Sequence, residues 1–586
     1  MKTKEIIKSL EWLRNDIIGR NKLFITPFGE KPLVYADYTA SGRCLFSIEN
    51  YMMYIMQYYA NTHTKDDFTG KIMTELLHDS EKSIKSLVNA GEKGKIIFTE
   101  SGTTGGITRL QQILGVYWPP ATRERINKYL GSCLERYPAE TECNKQLLDF
   151  IQNHKPIVFV GPYEHHSNEI MWRKALCDVL EVPLNAQEEI DLNALEEMVS
   201  DKKYDQRPKI GSFSAASNVS GLKTPVYEVA RILHRHGAIA CFDFAACAPY
   251  IEIDMNHDAE SCFDAIYLSP HKFLGGPGSS GVLIFNENIY AKELPPTIAA
   301  GGTVDFVSLE GEEYIQDIET REKPGTPGIL QAIKTSLIFQ TKAKVGVDNI
   351  DKIESYLYNK FQNAFKGEKN ILFYGSQELE KKIPIIPFNI VNNEQILHPK
   401  FVTRLLNDLF GIQTRAGCSC AGPYGHKLMK IETQVSHYYR CMITNVGYSG
   451  IKPGWVRLNL HYALSEEELD YIISAIKFAV KYAQRFIPQY IFDIKTGDWK
   501  HISDEIDDKP IELDIDKAYK IPKFKIEIAE DIPRNYQQNI DNAVKIAENL
   551  PFDFERVTFE PELGELIYFP VKNIINYKKN EGKHYV

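Results

Sequence analysis

A lysine beside a glycine-rich turn has the surroundings that point most directly to chemistry. Lys272 lies in YLSPHKFLGGPGSSGVL (267–283), where a predicted strand ends in Ser-Pro-His-Lys and a turn leads to the next strand. Burial at a strand end favours the neutral amine, which can form an imine with an aldehyde. The glycines allow close backbone approach, and Ser269 and His271 can donate hydrogen bonds to phosphate. We therefore predict that Lys272 holds a phosphate-bearing aldehyde cofactor, although a lone loop lysine would indicate an ordinary surface role.

An aspartate precedes this lysine by 29 residues, at the end of another predicted strand. Asp243 lies in ACFDFAACA (240–248). A buried carboxylate is costly unless it is paired with a cation. A protonated pyridine nitrogen would supply that charge and would become a stronger electron sink. Taken alone, Asp243 fits the N-cap of a helix better.

A second glycine-containing turn lies between a predicted strand and a predicted helix, in ESGTTGGITRL (100–110). The first N–H groups of a helix can bind an anion, and the helix dipole favours negative charge there. Four residues occupy this position: Ser101, Gly102, Thr103 and Thr104. The turn is a candidate phosphate site, although by itself it also fits a well-capped helix.

Two further polar segments follow predicted strands. GPYEHHSNE (161–169) contains His165 and His166. An imidazole there could stack on a cofactor ring and move protons, whereas a lone histidine is more often structural. SNVSGLKTP (217–225) places the amide of Asn218 after another strand. Sites in α/β proteins form at the carboxyl ends of strands, so both segments are candidates.

Two cysteines flank a serine in QTRAGCSCAGPYGH (413–426). Cys418 or Cys420 could be a nucleophilic thiolate on a loop, activated by nearby basic groups. A zinc site with His426 is the weaker interpretation because Cys-x-Cys lacks a second ligand pair. Two half-buried thiols without chemistry are the third interpretation.

An arginine in a predicted strand, GWVRLNL (454–460), offers a planar fork that suits a carboxylate. Arg457 therefore could anchor a substrate carboxylate, and it could equally form a structural ion pair.

Composition limits the class of protein. The chain has 586 residues, which predicts two or three domains, and its net charge of −10 does not favour a nucleic-acid partner. No apolar run approaches the roughly 18 residues that a membrane helix requires. The N-terminus has no apolar core of a secretory signal. Ten dispersed cysteines favour a reducing, cytoplasmic setting, and no metal site is predicted.

The elements that must position these residues are read from apolar runs alternating with helical patterns. The strand-like runs are KIIFTE (95–100), PIVFV (156–160), KIGSFSAAS (209–217), AIACFDFA (238–245), AIYLS (265–269) and GVLIF (281–285). Because these runs are apolar on both faces and helices separate them, they predict an α/β fold with a mostly parallel sheet covered on both sides.

The pattern changes after residue 330, where long helical stretches (330–366, 399–410 and 465–483) surround fewer strands. A smaller α+β domain is predicted there. The predicted parts are an N-terminal helix and segment joining the small domain (1–35), a large cofactor-binding domain (36–330), the small domain (331–485) and an appended module of unknown role (486–586).

A set of motifs spread over residues 30 to 485 carries a family resemblance. They are VYADYTASGR (34–43), ANTHT (60–64), SGTT (101–104), EHHSN (164–168), SNVSG (217–221), FDFAACA (242–248), SPHK (269–272), GGTV (301–304), PGTPG (324–328), RAGCSCAG (415–422) and VRLNL (456–460). With these motifs the chain resembles the class V aminotransferases, fold-type I enzymes that use pyridoxal 5′-phosphate (PLP), and most closely their cysteine desulfurase branch.

The resemblance implies a role for each matching position. Lys272 resembles the Schiff-base lysine, Asp243 the partner of the pyridine nitrogen, and His165 the ring-stacking acid/base. The implied phosphate ligands are the 101–104 turn, Ser269, His271 and Thr303, the last lent by the other subunit of a homodimer. The implied substrate-binding residues are Arg457, Asn218 (also near the cofactor 3-oxygen) and His63. Cys420 falls where the desulfurases keep the persulfide-forming thiol.

The resemblance implies removal of sulfur from L-cysteine or selenocysteine, giving alanine and an enzyme persulfide that a sulfur-acceptor protein receives. The chain departs from the family at Ala246, where a glutamine usually contacts the 3-oxygen, in the longer segment 115–155, and in the module after 486. Another class V reaction, by an aminotransferase, epimerase or carbon–sulfur β-lyase, is therefore an alternative. A sulfur-transfer or binding scaffold without turnover is a third.

Overall fold

The computed structural model describes residues 3–20, 22–62, 64–136, 141–392, 395–504, 511, 513–521 and 532–577. The chain forms two compact units. Unit 1 contains Met1–Thr39, Lys352–Leu379 and Pro384–Val586, and unit 2 contains Ala40–Asp351 and Glu380–Ile383.

The helices of the described residues are α1 (Thr3–Ser9), α2 (Glu11–Asp16), α3 (Phe46–Met56), α4 (Phe68–Leu87), α5 (Thr103–Ile113), α6 (Pro120–Arg136), α7 (Thr141–His154), α8 (His166–Lys174), α9 (Leu192–Val199), α10 (Val226–Arg235), α11 (Ile318–Arg321), α12 (Ile329–Val345), α13 (Val347–Ala364), α14 (Pro399–Phe410), α15 (Gly422–Leu428), α16 (Thr433–Cys441), α17 (Glu466–Phe486), α18 (Ile515–Lys520), α19 (Ile532–Asn549) and α20 (Pro561–Gly564).

The strands are β1 (Leu23–Thr26), β2 (Gly29–Pro32), β3 (Val34–Tyr35), β4 (Gly94–Thr99), β5 (Ile157–Val160), β6 (Asp178–Glu181), β7 (Lys209–Ser214), β8 (Ile239–Asp243), β9 (Ala265–Leu268), β10 (Gly281–Asn286), β11 (Val304–Val307), β12 (Glu312–Tyr314), β13 (Ile371–Phe373), β14 (Ile385–Asn392), β15 (Gln395–Ile396), β16 (Ile412–Gln413), β17 (Arg415–Gly417), β18 (Trp455–Asn459), β19 (Tyr490–Asp493), β20 (Trp499–His501) and β21 (Asn573–Ile575).

Unit 2 is built on a seven-stranded sheet with the order β4-β10-β9-β8-β7-β5-β6. Strand β10 is antiparallel to both of its neighbours, and the strands from β9 to β6 are parallel. Every residue of β5 and β9 is buried, because helices pack on the sheet and leave these strands no solvent face. The predicted α/β fold with a mostly parallel sheet is confirmed.

The candidate residues of unit 2 follow the carboxyl ends of these strands. The turn 101–104 follows β4, His165 follows β5, Asn218 follows β7 and Lys272 follows β9, while Asp243 is the last residue of β8. Because the carboxyl ends of parallel strands meet at one edge, the sheet gathers residues that are far apart in sequence.

Helix α12 belongs to unit 2, so the domain boundary predicted at residue 330 differs from the observed division at 351. Its Lys334 contacts Glu49 of α3 at 2.5 Å. Its Lys342 is buried and donates to the carbonyl oxygen of Ala248 at 2.6 Å. The sequence predicts that α12 is a helix. It does not reveal the distant partners of its lysines, and these contacts place α12 in unit 2.

Unit 1 contains an antiparallel sheet with the order β13-β14-β18-β17. The N-terminal segment packs here, since β3 pairs in parallel with β16 and the guanidinium of Arg14 donates to the carbonyl oxygen of Ala463 at 3.0 Å. This sheet places Arg457 in β18 opposite Arg415 in β17.

The residues after 486 pack within unit 1. Strand β19 pairs with β20 and β21, and α19 packs on α17. The ring of Tyr536 stacks on Tyr471 at 4.2 Å, and Lys31 donates to Asn539 at 3.1 Å. The predicted appended module therefore forms part of the same compact unit as the small domain.

Candidate active site

The turn before α5 meets the segment that precedes Lys272. The backbone N–H of Thr103 donates to the hydroxyl of Ser269 at 3.0 Å, and the two hydroxyl oxygens are 3.4 Å apart. A Cβ on Gly102 would lie 3.0 Å from Ser269 Oγ and 3.6 Å from His271 Nε2. The structure therefore brings together four of the residues predicted to hold phosphate, and only glycine leaves the space between them open.

Close packing of this turn on β10 requires a second glycine. A Cβ on Gly281 would lie 2.5 Å from the carbonyl oxygen of Gly102 and 2.6 Å from its nitrogen. The N–H of Gly281 donates to the carbonyl oxygen of Glu100 at 3.0 Å. Any larger residue at 281 would displace the turn that presents Thr103.

The other residues predicted to bind the phosphate or the substrate are not part of this cluster. Ser101 is exposed, and the hydroxyl of Thr104 bonds to the hydroxyl of Ser167 at 2.8 Å. Thr303 is fully buried, and its hydroxyl donates to the carbonyl oxygen of Ala300 at 2.7 Å, inside its own turn. His63 lies outside the described residues.

His271 is a neutral donor at physiological pH. Burial, with a smaller effect from the charge of Lys272, lowers the pKa of the His271 imidazole to about 4. A neutral ring keeps one N–H to offer to a phosphate oxygen.

Asp243 and Lys272 lie within electrostatic range of each other. Asp243 is buried, and its carboxylate accepts a hydrogen bond from the N–H of Ala245 at 2.9 Å. Burial raises the pKa of Asp243 to about 6, while the Ala245 bond and the Lys272 charge oppose the rise. A buried carboxylate of this kind is stabilised by a facing cation such as a pyridinium.

The donor set of unit 2 fits a phosphorylated pyridine aldehyde. A glycine-lined turn with hydroxyl and imidazole donors can hold the phosphate, the Asp243 carboxylate can face the ring nitrogen, and the Lys272 amine can hold the aldehyde carbon. Ala246, where the family keeps a glutamine, is buried and has no side-chain donor for the ring oxygen.

His165 is the N-cap of α8, and its ring is held by a hydrogen bond. The backbone N–H of Ser167 donates to His165 Nδ1 at 3.2 Å. In the neutral ring the proton therefore resides on Nε2.

Glu164, directly before His165, is a residue that sequence reasoning missed. Its carboxylate accepts bonds from the Gly161 N–H (3.0 Å), the Ser214 N–H (2.8 Å) and hydroxyl (2.6 Å), and the Asn168 amide (2.7 Å). Burial raises the pKa of Glu164 to about 7, against the Ser214 and Asn168 bonds, and the Asp243 charge adds to the rise. Glu164 thereby ties the His165 turn to β7, the strand beside Asp243.

The Asn218 loop is fixed by its own polar bonds and by a short distant segment. The hydroxyl of Ser217 accepts from the N–H groups of Val219 and Ser220 at 3.1 and 3.2 Å. The N–H of Ile383 donates to the carbonyl oxygen of Gly221 at 2.9 Å. Asn218 is consequently buried in a well-defined loop.

In unit 1, Arg457 shares a carboxylate with a second arginine. Arg457 is buried in β18, and its Nη2 donates to Asp37 Oδ1 at 3.0 Å. Arg415 Nε donates to Asp37 Oδ2 at 2.8 Å. Sequence reasoning singled out Arg457 but missed Asp37 and Arg415, although both lie in the quoted motifs.

Cys420 lies exposed on the turn after β17, whereas Cys418 is half-buried. Ser419 and Cys420 both adopt the left-handed conformation, with φ of 52° and 57°, which is strained for residues other than glycine. Burial lowers the pKa of Arg457, and the charges of Asp37 and, to a smaller extent, Cys420 oppose it. The pKa of Arg415 is raised overall, since Asp37, with a smaller contribution from Cys420, outweighs burial. The exposed thiol therefore lies within electrostatic range of both guanidinium groups.

Two classes of site are absent from the part of the chain that the structure describes. No group of three or more His, Cys, Asp and Glu side chains there could hold a metal ion. No helix among those residues has the length and apolar character needed to cross a membrane.

The chain is an α/β protein whose candidate site residues in unit 2 lie at the carboxyl edge of a mostly parallel sheet. The family model of the class V aminotransferases matches residues 34–121 and 144–472. The chain belongs to the class V aminotransferase family.

Named relatives are similar over most of their length. A probable cysteine desulfurase of Halalkalibacterium halodurans is 29% identical over 397 residues, which cover 67% of this chain and 85% of the relative. One from Pyrococcus abyssi is 26% identical, with coverage of 77% and 94%.

Solved structures share the fold. The apo cysteine desulfurase of Thermococcus onnurineus superimposes with a TM-score of 0.60 at 24% identity, covering 77% of this chain and 95% of that one. The Escherichia coli cysteine desulfurase CsdA gives a TM-score of 0.57 at 18% identity, covering 76% and 94%.

Proposed function

We propose that this chain is a PLP-dependent enzyme that removes sulfur from L-cysteine or selenocysteine, and that with L-cysteine it gives alanine and a persulfide on Cys420. The observation that carries the proposal is an exposed thiol within electrostatic range of a buried arginine that can bind a carboxylate. The relatives named probable cysteine desulfurase support it.

The residues of unit 2 would hold the cofactor. The Lys272 amine would form the Schiff base, Asp243 would face the pyridine nitrogen, and Thr103, Ser269 and His271 would bind the phosphate. When bound, PLP supplies an electron sink for charge that develops on the substrate. Thr303 as a phosphate ligand lent within a homodimer, a role for His63, and a cytoplasmic setting are further parts of the proposal.

We assign each step of substrate binding and proton transfer to a side chain of this protein. The Arg457 guanidinium binds the substrate carboxylate, and Asp37 keeps its fork in place. The Lys272 amine removes the proton from the substrate Cα, and His165 Nε2 moves protons. The Cys420 thiolate is the nucleophile that takes the sulfur.

Sulfur transfer balances without an oxidant. The Cys420 thiolate attacks the substrate sulfur, a sulfur–sulfur bond forms, and the carbon–sulfur bond breaks. The electron pair of the broken carbon–sulfur bond stays on the carbon, which takes up a proton. The product is therefore alanine, and the sulfur remains on Cys420 as a persulfide.

A cysteine substitution tests this step. Cys420→Ala should abolish alanine release from L-cysteine while the visible absorbance of the bound cofactor remains. Cys262→Ala, at a half-buried thiol of unit 2, is the matched control, and Cys418→Ala shows whether the neighbouring thiol is required. Undiminished alanine release by Cys420→Ala would refute the persulfide step.

A second candidate function is favoured by Ala246, because the missing donor changes the surroundings of the cofactor ring. Under it, the chain is an aminotransferase, epimerase or β-lyase for another amino acid. Incubation with a panel of amino acids separates the two, since keto-acid or D-amino-acid products support this second function and alanine with sulfane sulfur supports the first.

A further inference from the structure

Cys418 and Cys420 belong to one tight turn with a left-handed backbone. The backbone N–H of Ala421 donates to the carbonyl oxygen of Cys418 at 3.1 Å, which closes a four-residue turn. Its two central residues, Ser419 and Cys420, have φ of 52° and 57°. Positive φ at both central positions is the pattern of a type I′ turn, which favours glycine, asparagine and aspartate. The turn is therefore imposed by the structure around it, not by the preferences of its own residues.

The left-handed backbone brings the two cysteines close together. A helical conformation of either hand places Cα atoms two positions apart at about 5.4 Å, since each residue turns the chain by about 100° and advances it by about 1.5 Å. An extended chain separates the same atoms by about 6.6 Å. Disulfides most often join Cα atoms about 5.5–6 Å apart. The conformation of Ser419 therefore holds Cys418 and Cys420 at a separation that suits a disulfide.

Both ends of the turn are anchored on one buried residue of β18. Before the turn, Gly417 of β17 pairs with Trp455 in the antiparallel sheet. After it, the N–H of Gly425 in α15 donates to the carbonyl oxygen of Ala421 at 2.9 Å. A Cβ on Gly425 would lie 2.9 Å from the ring of Trp455. Because these contacts fix the residues on either side, opening the turn would disturb the packing on Trp455.

The two thiols of the turn differ in exposure. Cys420 is exposed, and Cys418 is half-buried. A substrate or an oxidant therefore reaches Cys420 more readily. A second group held in the same turn reacts at a high effective concentration, because no encounter in solution is needed. This arrangement suits a pair in which Cys420 is the attacking thiol and Cys418 reacts second.

We propose that Cys418 is a resolving thiol, which converts the persulfide on Cys420 into a disulfide between the two cysteines. This inference rests on the proposed desulfurase function. The Cys418 thiolate attacks Cys420 Sγ, a sulfur–sulfur bond forms between the two residues, and the bond to the outer sulfur breaks. The outer sulfur leaves with the electron pair as hydrosulfide. The transferred sulfur is thus reduced and the two thiols are oxidised, so no further oxidant is required.

The disulfide acts as a switch on the proposed reaction. With Cys420 in a disulfide, no thiolate remains on this turn to take sulfur from the substrate. A thiol reductant restores both cysteines by exchange. The enzyme therefore stops when such a reductant is scarce and resumes when it returns.

Rapid quenching of the reaction tests the inference. Reduced enzyme with bound PLP receives one equivalent of L-cysteine and is quenched with an alkylating reagent at intervals. The tryptic peptide 416–427, which contains both cysteines, is then analysed by mass spectrometry. We expect one added sulfur on Cys420 first, and afterwards a peptide two hydrogen atoms lighter than the dithiol, formed together with one equivalent of hydrosulfide.

A serine substitution removes the resolving thiol. In Cys418→Ser the persulfide on Cys420 should last about ten-fold longer than in the wild type, because the intramolecular attack is lost. Cys441→Ser, at another half-buried thiol of unit 1, is the matched control and should behave as the wild type. Equal persulfide lifetimes in the wild type and Cys418→Ser, or an added sulfur on Cys418 in place of the disulfide, would overturn the inference.

The turn can be tested separately from the thiols. Ser419→Val introduces a β-branched residue, which disfavours positive φ, and should slow disulfide formation by about ten-fold. Ser419→Gly adopts positive φ without strain and should form the disulfide at least as fast as the wild type. Equal rates in these two variants would contradict the inference that the left-handed turn pairs the thiols.

A further measurement separates this inference from the desulfurase proposal. The reduced enzyme, without L-cysteine, is mixed with glutathione disulfide. Cys420 displaces one glutathione and forms a mixed disulfide, and Cys418 then displaces the other. The lighter peptide should form in the wild type, whereas Cys418→Ser should keep the glutathione adduct.

The two proposals fail in different ways in this measurement. If the lighter peptide forms with glutathione disulfide but L-cysteine yields no persulfide, the desulfurase proposal fails and the pairing of the thiols stands. A stable glutathione adduct on Cys420 of the wild type, as in Cys418→Ser, would overturn the inference.

Discussion

The candidate nucleophile of unit 1 and the candidate cofactor residues of unit 2 differ in exposure. In unit 2, Asp243 and Thr103 are only 3% and 6% exposed, and they lie at strand and helix ends held by backbone hydrogen bonds. In unit 1, Cys420 is exposed on a turn with a left-handed backbone. The difference matches the two tasks in the proposed reaction, since a resident cofactor needs a closed, fixed site and a sulfur carrier must remain accessible to a second molecule.

The largest effect on activity is expected at Asp243, the buried aspartate of unit 2. Asp243→Asn keeps the size of the side chain but cannot balance a pyridinium charge, so activity should fall on the order of 10²–10³-fold. The readout is kcat/KM together with the pH titration of the cofactor absorbance, which should shift because the ring nitrogen loses its anionic partner.

Asp205→Asn, at an exposed aspartate of the same unit, is the control and should change neither measurement. A wild-type titration curve in Asp243→Asn would show that this carboxylate does not face the ring nitrogen.

A smaller effect is expected at Glu164, which holds the His165 turn but makes no contact with a reacting atom. Glu164→Gln replaces a carboxyl group that has at most one O–H by an amide with two N–H groups, among partners that already donate, so the free energy of unfolding of the cofactor-free protein should fall by about 1–3 kcal/mol. Glu197→Gln, at an exposed site, should leave it unchanged.

The same variant carries a pH signature. Because the pKa of Glu164 is raised from 4.5 to about 7, the native state keeps a proton that the unfolded chain releases. Its contribution to stability is therefore full below pH 4.5 and is lost as the pH rises through about 7. Urea unfolding at several pH values should show the difference between wild type and variant shrinking as the pH rises; a constant difference would contradict this assignment.

The smallest effect is expected at Asp37 in unit 1, which binds Arg457. Asp37→Asn weakens the bond that orients Arg457 without removing the guanidinium, so KM for L-cysteine should rise about five- to ten-fold while kcat changes little. Asp351→Asn, at an exposed position, serves as the control. An unchanged KM would mean that Asp37 does not position the carboxylate anchor.

Much of unit 2 could be predicted because its signals are local. Apolar runs predicted β5, β7, β8, β9 and β10, and the helix predicted at 399–410 in unit 1 is α14 (Pro399–Phe410). Strand β6 (Asp178–Glu181) was not predicted, since its four residues are all half-buried and charged at both ends. The candidate cofactor residues could be proposed because each lies at or just after the end of such a run.

The missed residues act through partners that are distant in sequence. Glu164 stands in a polar run and becomes a buried acid only because Ser214 and Asn168 fold around it. Asp37 joins Arg457 across 420 positions of the chain, and no spacing pattern reveals such a pair. Sequence reasoning therefore located the residues that follow strong patterns, and the structure was required for those that support them.

The most direct test of the proposed persulfide is mass analysis of the thiols after a single turnover with L-cysteine. We predict one added sulfur atom on Cys420, located by fragmentation of the tryptic peptide that also contains Cys418, absent from Cys420→Ala and accompanied by one equivalent of alanine. A peptide mass unchanged while alanine accumulates, or the added sulfur found on a different cysteine, would contradict the proposal that the exposed Cys420 carries the sulfur.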